Sequence, residues 1–264
     1  MRLSVRFLLI SLIALGLAVP ALAAPERKPD AAIKTKTIEA NVSIDPALKA
    51  YPGLYPRLLA AGKREMAKWR AEADKDYREN AKLFRELQGY EFDRTYDQRS
   101  AIQGYVSITR TDYSYSTGAA HPNHFVDTLL WDTHARKFIS IRPFFKETAT
   151  NGPAMQTLAA AIKEAVVADK IKRGLSKDEA NDPMWVGNIK PDILKIGALA
   201  LAPSTEPDKS AGLIVYFPPY AVGAYVEGTY TEFVPWTVFK AHLSAAGARL
   251  FGGTRPPGDA KRDE

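Results

Sequence analysis

From Tyr55 to Leu87 the apolar residues Leu59, Gly62, Met66, Trp69, Ala73, Tyr77, Phe84 and Leu87 fall close to one stripe, and the opposite face is charged. A helix of this length has to bury such a stripe against a second layer of structure. The segments around it supply that layer, because Thr37 to Ile44 and Tyr90 to Tyr96 alternate apolar and polar residues with a period of two. Ala101 to Tyr115 reads as one long strand with Ile102, Val106 and Ile108 on one face. Phe125 to Thr133, Lys137 to Ile141, Ile193 to Leu201, Leu213 to Phe217 and Thr229 to Pro235 complete the strand set. A second helix opens at Asn151-Gly152-Pro153, is lined by Leu158, Ile162, Ala165, Val166 and Ile171, and closes at Gly174. Ser176 and Glu179 have capping-box spacing and predict a short helix before Pro183. The expected class is α+β, with largely antiparallel sheets packed by the long N-terminal helix and by the second helix in the C-terminal half.

The N-terminus reads as an address rather than as part of the fold. Arg2 and Arg6 precede an apolar run from Phe7 to Val19, and Ala21 and Ala23 supply small residues for cleavage near Ala23. The run is about thirteen residues, short of the roughly 20 that span a bilayer core. We expect residues 1–23 to be a cleaved signal peptide and the mature chain to work in the periplasm, with no stable membrane anchor after cleavage.

The sequence contains no cysteine, which excludes disulfides, thiolate metal sites, thiol catalysis and lipoprotein acylation. A mature chain of about 240 residues is large enough to hold together by core packing alone. The formal charge of +6 loses Arg2 and Arg6 with the signal, and the remaining basic residues are interspersed with acidic ones. That pattern fits solubility and gives no sign of nucleic-acid binding.

Few residues point to chemistry. The four histidines are His121, His124, His134 and His242. His121 and His124 have H-x-x-H spacing, but Pro122 places them in a turn, and a zinc site needs three or four convergent ligands. No metal or cofactor is expected. There is no nucleophile elbow, Walker loop or dinucleotide fingerprint. Thr95-Tyr96-Asp97-Gln98 resembles the T-[FY]-D-D motif of polysaccharide deacetylases but lacks its second aspartate and reads as a turn after a strand. What remains is an aromatic population at two turns: Tyr113 and Tyr115 before Gly118 to Asn123, and Tyr220 and Tyr225 after Phe217-Pro218-Pro219. Such side chains either form a recognition surface or fill the core at loop ends.

At these turns the chain resembles a known family. Tyr113-Ser114-Tyr115-Ser116-Thr117-Gly118-Ala119-Ala120-His121-Pro122-Asn123 is similar to the Y-x-Y-x-G-G-A-H-x-N element of RsiV-like envelope proteins, with Ala119 in place of the second glycine. Phe217 to Gly228 resembles that family's F-x-P-Y-x-x-x-P-Y-A-x-G segment, with Ala224 for the proline and Val226 for the alanine. Phe233 to Leu243 is similar to its closing strand and turn. The first half resembles the domain that precedes the catalytic domain of PdaC-type deacetylases. Composition places a signal peptide over 1–23 and a Pro- and charge-containing leader over 24–36 at the start, and a polar tail over 247–264, expected to be disordered, at the end. Between them the resemblance implies a PdaC-type domain over 37–123 and an RsiV-like domain over 124–246.

It further implies a non-catalytic binding module for a cell-wall-related ligand, a lysozyme-like protein or peptidoglycan. The ligand-binding residues would be Tyr113, Tyr115, His121, Asn123, Tyr220 and Tyr225. Two alternatives stay open: a peptidoglycan-modifying hydrolase or deacetylase, and a structural subunit docking through the Tyr55 to Leu87 helix. N-terminal sequencing of the exported protein is expected to begin at Ala24; an intact Met1 would overturn the cleavage assignment.

Overall fold

The structure is a computed structural model and describes residues 27–260. The expected signal peptide lies outside these residues. Alternating burial produces a six-stranded sheet in sequential order: β1 (Ala31–Lys34), β2 (Ile38–Ile44), β3 (Tyr90–Ile102), β4 (Tyr105–Tyr115), β5 (Asn123–Asp132) and β6 (Lys137–Ile139). Only β2 and β3 run parallel, and the helix between them makes the crossover that a parallel pair requires. That helix is α1 (Leu54–Glu79), followed after a break at Asn80 by α2 (Ala81–Glu86). Leu54, Leu58, Gly62, Met66 and Ala73 bury its stripe on β2 and β3. Gly62 is where the two layers come closest, since a Cβ there would sit 2.7 Å from the Val42 side chain. The stripe is therefore spent inside the molecule, and only Leu83 and Leu87 of its length stand exposed, in and just after α2.

The second layer belongs to the C-terminal half. Strands β7 (Ala198–Leu201), β8 (Gly212–Phe217) and β9 (Tyr230–Pro235) form an antiparallel sheet. Helix α3 (Pro153–Lys172) packs on it through Leu158, Ile162 and Val166. The short helices α4 (Lys177–Ala180) and α5 (Pro183–Val186) follow, the former with both arms of the Ser176–Glu179 capping box formed. The chain is α+β as expected. The expected division between residues 123 and 124 falls at the start of β5, so the six-stranded sheet runs on across it to Ile139.

Three local expectations change. Ala101 to Tyr115 is not one strand: Gln103 and Gly104 both have positive φ, 47° and 82°, and make a two-residue hairpin turn. Ile102 thus lies opposite Tyr105 and joins the C-terminal core, while Val106 and Ile108 face α1. Thr95 to Gln98 lies inside β3, not in a turn. Ile193 to Gly197 stays coil, and the strand begins only at Ala198.

Both ends are also more ordered than expected. In the leader, Ala31 to Lys34 pairs with β2, and the Asp30 carboxylate accepts from the Ile44 N–H at 2.8 Å and the Tyr55 O–H at 2.9 Å. In place of a disordered tail, α6 (Trp236–Phe239) is followed by α7 (Ala245–Leu250) and α8 (Pro257–Ala260). Leu250 and Phe251 are buried in the core, and buried Asp259 makes a bidentate pair with buried Arg99 at 2.6 and 2.7 Å. Apolar side chains and an opposite charge within reach outweigh the proline and glycine content that suggested disorder.

The two sheets are joined by hydroxyls. Ala202 exchanges bonds with Gly212 and Ala211 of the β8 side, so the backbone of Leu199 and Leu201 faces away from β8. Ser100 Oγ donates to Leu201 O at 2.7 Å, Ser107 Oγ accepts from Leu201 N–H at 3.0 Å, and Thr128 Oγ1 donates to Leu199 O at 2.7 Å. Side chains of the large sheet thereby satisfy the open edge of the small one. A register shift at Arg99, between Gln98 and Ser100, sets Ser100 opposite Ser107 so that both reach β7. Ser107→Ala leaves the Leu201 N–H buried without this acceptor and should cost about 1–3 kcal/mol in urea unfolding. A loss below about 0.5 kcal/mol, the range of an ordinary surface change, would show that the edge does not depend on it.

Candidate functional site

The two signature turns meet although they lie about a hundred residues apart. The first links β4 to β5; its positive φ falls on Gly118, at 84°, and not on Ala119. The glycine that the backbone needs is the one this sequence keeps. The second turn follows β8, where Pro218 and Pro219 end strand pairing by lacking N–H groups. Ala221 N–H donates to Pro218 O at 3.1 Å and Tyr220 has φ 69°, a type II turn with Pro219 first. A tyrosine in the left-handed region costs of order 1–3 kcal/mol, and strain of that kind persists where surrounding contacts impose it. It presents the Tyr220 ring to solvent at 51% exposure.

The carbonyl of Pro122 organises the cluster. It accepts the Tyr225 O–H at 2.9 Å and lies 2.8 Å from His121 Nδ1. A carbonyl can only accept, so Nδ1 carries a proton, and Nε2 lies 3.3 Å from the Tyr220 hydroxyl oxygen. The His121 and Tyr225 rings stack with centroids 4.1 Å apart at 29°. Tyr220 and Tyr225 lie 5.5 Å apart, and His121 and Tyr220 6.1 Å. Tyr113 is opposite His124 in the β4–β5 ladder and meets its ring edge-on at 5.4 Å; His124 in turn lies 6.4 Å from Tyr225. Burial, and then its O–H bond to Glu91 at 3.2 Å, raises the Tyr113 pKa.

The structure thus brings together Tyr113, His121, Tyr220 and Tyr225. Tyr115 sits half-buried opposite Glu91 and makes no hydrogen bond or ring contact with the others. Asn123 opens β5 as an exposed residue whose side chain makes no hydrogen bond to these rings. His134 lies at the other end of β5 and His242 bonds Thr157, so the histidines do not converge. Among the described residues there is no group of three or more His, Asp or Glu placed to hold a metal. Asp97 is occupied by an ion pair with Arg27 at 2.9 Å.

Sequence reasoning missed His124 as a ring partner, and the support beneath the second turn. Lys170 of α3 is fully buried and donates to Glu227 Oε2 at 2.8 Å. The same carboxylate accepts from the Tyr230 O–H and the Ala224 N–H, both at 2.6 Å. Gly223 is needed beside it, since a Cβ there would come within 2.5 Å of Glu227. Arg173 ties the far end down through Glu227 O and Thr229 O. Only the H-x-x-H pair gave a signal for His124; nothing local links Lys170 to Glu227, 57 residues on.

Burial works against the Glu227 charge, but Lys170, Tyr230 and Ala224 outweigh it and hold its pKa below the ordinary 4.5. Burial, and then Glu227, pushes the Tyr230 hydroxyl up. Because the folded pKa of Glu227 is depressed, its contribution to stability is present above pH 4.5 and is lost as pH falls through the folded value. Glu227→Gln should therefore flatten the acid limb of the stability–pH curve below pH 4.5. Lys170→Met should cost about 1–3 kcal/mol at pH 7 by removing the partner of a buried charge. An unchanged acid limb would refute the assignment.

No family model matches the chain, and no curated protein matches its sequence. Its fold does match solved structures. A DUF3298 family protein from Pseudomonas aeruginosa PAO1 superposes with a TM-score of 0.54 at 15% identity, covering 82% of this chain and 88% of that one. A member of the DUF3298 family from Bacteroides fragilis NCTC 9343 gives a TM-score of 0.50 at 16% identity, covering 80% and 88%. At these identities the likeness concerns the fold, which this chain shares with DUF3298 family proteins over 80–82% of its length.

Proposed function

We propose that this chain is a non-catalytic binding module of the bacterial cell envelope, and that its ligand is wall-related: peptidoglycan or a lysozyme-like protein. The observation that carries this reading is the convergence of His121, Tyr220 and Tyr225 on one partly exposed surface, oriented by the Pro122 carbonyl. Rings locked in this way offer contact area at little entropic cost on binding. The N-terminal apolar run with its small residues at Ala21 and Ala23, and the two RsiV-like signatures, support the envelope setting. A binding role fits the cluster better than catalysis. Both ring nitrogens of His121 already have partners inside the cluster, the Pro122 carbonyl and the Tyr220 hydroxyl, and serve to hold the rings together.

Two features bear on the ligand. His124, beside Tyr225, also lines a cleft that carries Thr109, Thr111, Thr229 and Thr231, which favours the glycan. Tyr220 and Val226, at 51% and 92% exposure, protrude from the loop, which favours a protein partner. Pull-down with purified sacculi and with lysozyme tests both. Tyr225→Ala and Tyr220→Ala should each weaken the retained interaction by about 2 kcal/mol, roughly thirty-fold, if they act as interface anchors. Retention by neither ligand would end this reading. Release of soluble product from peptidoglycan that disappears in His121→Ala would replace it with the enzymatic one.

A further inference from the structure

Past the end of β7 the two sheets diverge and leave a cavity of about 350 Å³. Its walls carry four threonines: Thr109 and Thr111 of β4 on one side, and Thr229, just before β9, with Thr231 of β9 on the other. His124 belongs both to this cavity and to the ring cluster, so the cavity opens beside the stacked aromatics. The hydroxyls of Thr111, Thr229 and Thr231 make no hydrogen bond within the described residues, and that of Thr109 has one long contact, 3.4 Å to Asp97 O. We propose that this cleft is a saccharide subsite that takes one neutral, N-acetylated amino-sugar ring. The proposal rests on the binding-module reading and names the ligand chemistry of the same site.

The chemistry follows from the lining. A threonine hydroxyl both donates and accepts, as does each hydroxyl of a sugar, so four of them on facing walls can match a polyol without a fixed donor pattern. The methyl groups and the rings of His124 and Tyr216 supply apolar surface for the C–H faces of the ring. An anionic ligand is disfavoured. The one guanidinium at the cavity, Arg99, is already gripped by both Asp259 oxygens and donates its Nε–H to the Tyr216 hydroxyl at 2.8 Å. An anion would have to displace that buried pair. The volume lies at the small end of ligand sites, about 300–1,000 Å³, which suits a single ring with its acetamido arm while the rest of a chain crosses the aromatic ridge.

The test titrates the whole mature protein, by calorimetry, with N-acetylglucosamine, with its β-1,4-linked tetramer and with purified sacculi. Wild type is compared with the isosteric Thr111→Val/Thr231→Val double variant and with Tyr225→Ala. The subsite predicts saturable binding of the tetramer and a loss of about ten-fold or more in the double variant at unchanged thermal midpoint. Binding of the monomer as tightly as the tetramer and no retention on sacculi would assign the cleft to a free sugar instead of wall glycan, with the chemistry upheld. Tetramer binding that the double variant keeps, but Tyr225→Ala loses, would overturn the subsite and leave glycan recognition on the ridge. Absence of tetramer binding beside retained lysozyme binding would overturn the subsite and leave the module a protein binder. Absence of tetramer, sacculus and lysozyme binding together would remove both the subsite and the binding-module reading.

Discussion

The placing of the two layers, and of the loops at their rim, depends on how an open strand edge is closed. The backbone of Leu199 and Leu201 points away from its own sheet, and buried polar backbone without a partner would be too costly to keep. Ser100, Ser107 and Thr128 close that edge from the face of the larger sheet, so the second sheet docks across the first instead of extending it. Specific hydrogen bonds, unlike apolar contact, fix the relative position of two layers to within a fraction of a strand spacing. Because β7 is held over one end of β3, β4 and β5, the sheets separate toward the other end, and the cleft with its aromatic border lies in the gap.

The bulge at Arg99 serves both sides of this arrangement. The extra residue brings Ser100 opposite Ser107, and it sends the Arg99 side chain to Asp259 and Tyr216. The C-terminal segment is thereby clamped behind the second sheet, where Arg255 also reaches Asp259. A second buried pair, Lys170 with Glu227, supports the turn that carries Tyr220 and Tyr225. Buried pairs of this kind contribute modestly to net stability but penalise any arrangement that separates them. Their effect here is on shape: one locks the floor of the cleft and the other holds the loop at its rim.

Two of the rings, His121 and Tyr225, are held by a single acceptor. Pro122 has no N–H to give to the β4–β5 ladder, and its carbonyl takes both the His121 and Tyr225 protons. Positive φ at Gly118 shapes one turn, and the strained backbone at Tyr220 aims a ring outward from the other. Ordered rings beside a polar cleft are a surface already paid for in conformational entropy before any ligand arrives.

Much of this was legible in the chain alone. The period-3.6 stripe of α1, the alternation of β2 and β9, the Ser176–Glu179 cap and the glycine of the first turn are local signals, set by backbone geometry within a few residues. Tyr113, His121, Tyr220 and Tyr225 could be singled out because aromatics beside rigid turns are visible in one dimension. Tyr115 and Asn123 were not separable from them: Tyr115 shares a face of β4 with Tyr113 but lies beyond the last β4–β5 pair, and which of these residues meets a partner is set by where the distant second loop arrives. A two-residue hairpin turn at Gln103-Gly104 moved Ile102 to the opposite face, because side chains alternate and inserting a turn resets the alternation. The meeting of the two signature loops, the grip of Lys170 on Glu227, the threonine cleft and the docking of Asp259 on Arg99 were decided only by the tertiary structure. Each joins residues with no shared local geometry, and such contacts exist only once the packing of whole layers has brought distant segments of chain to the same place.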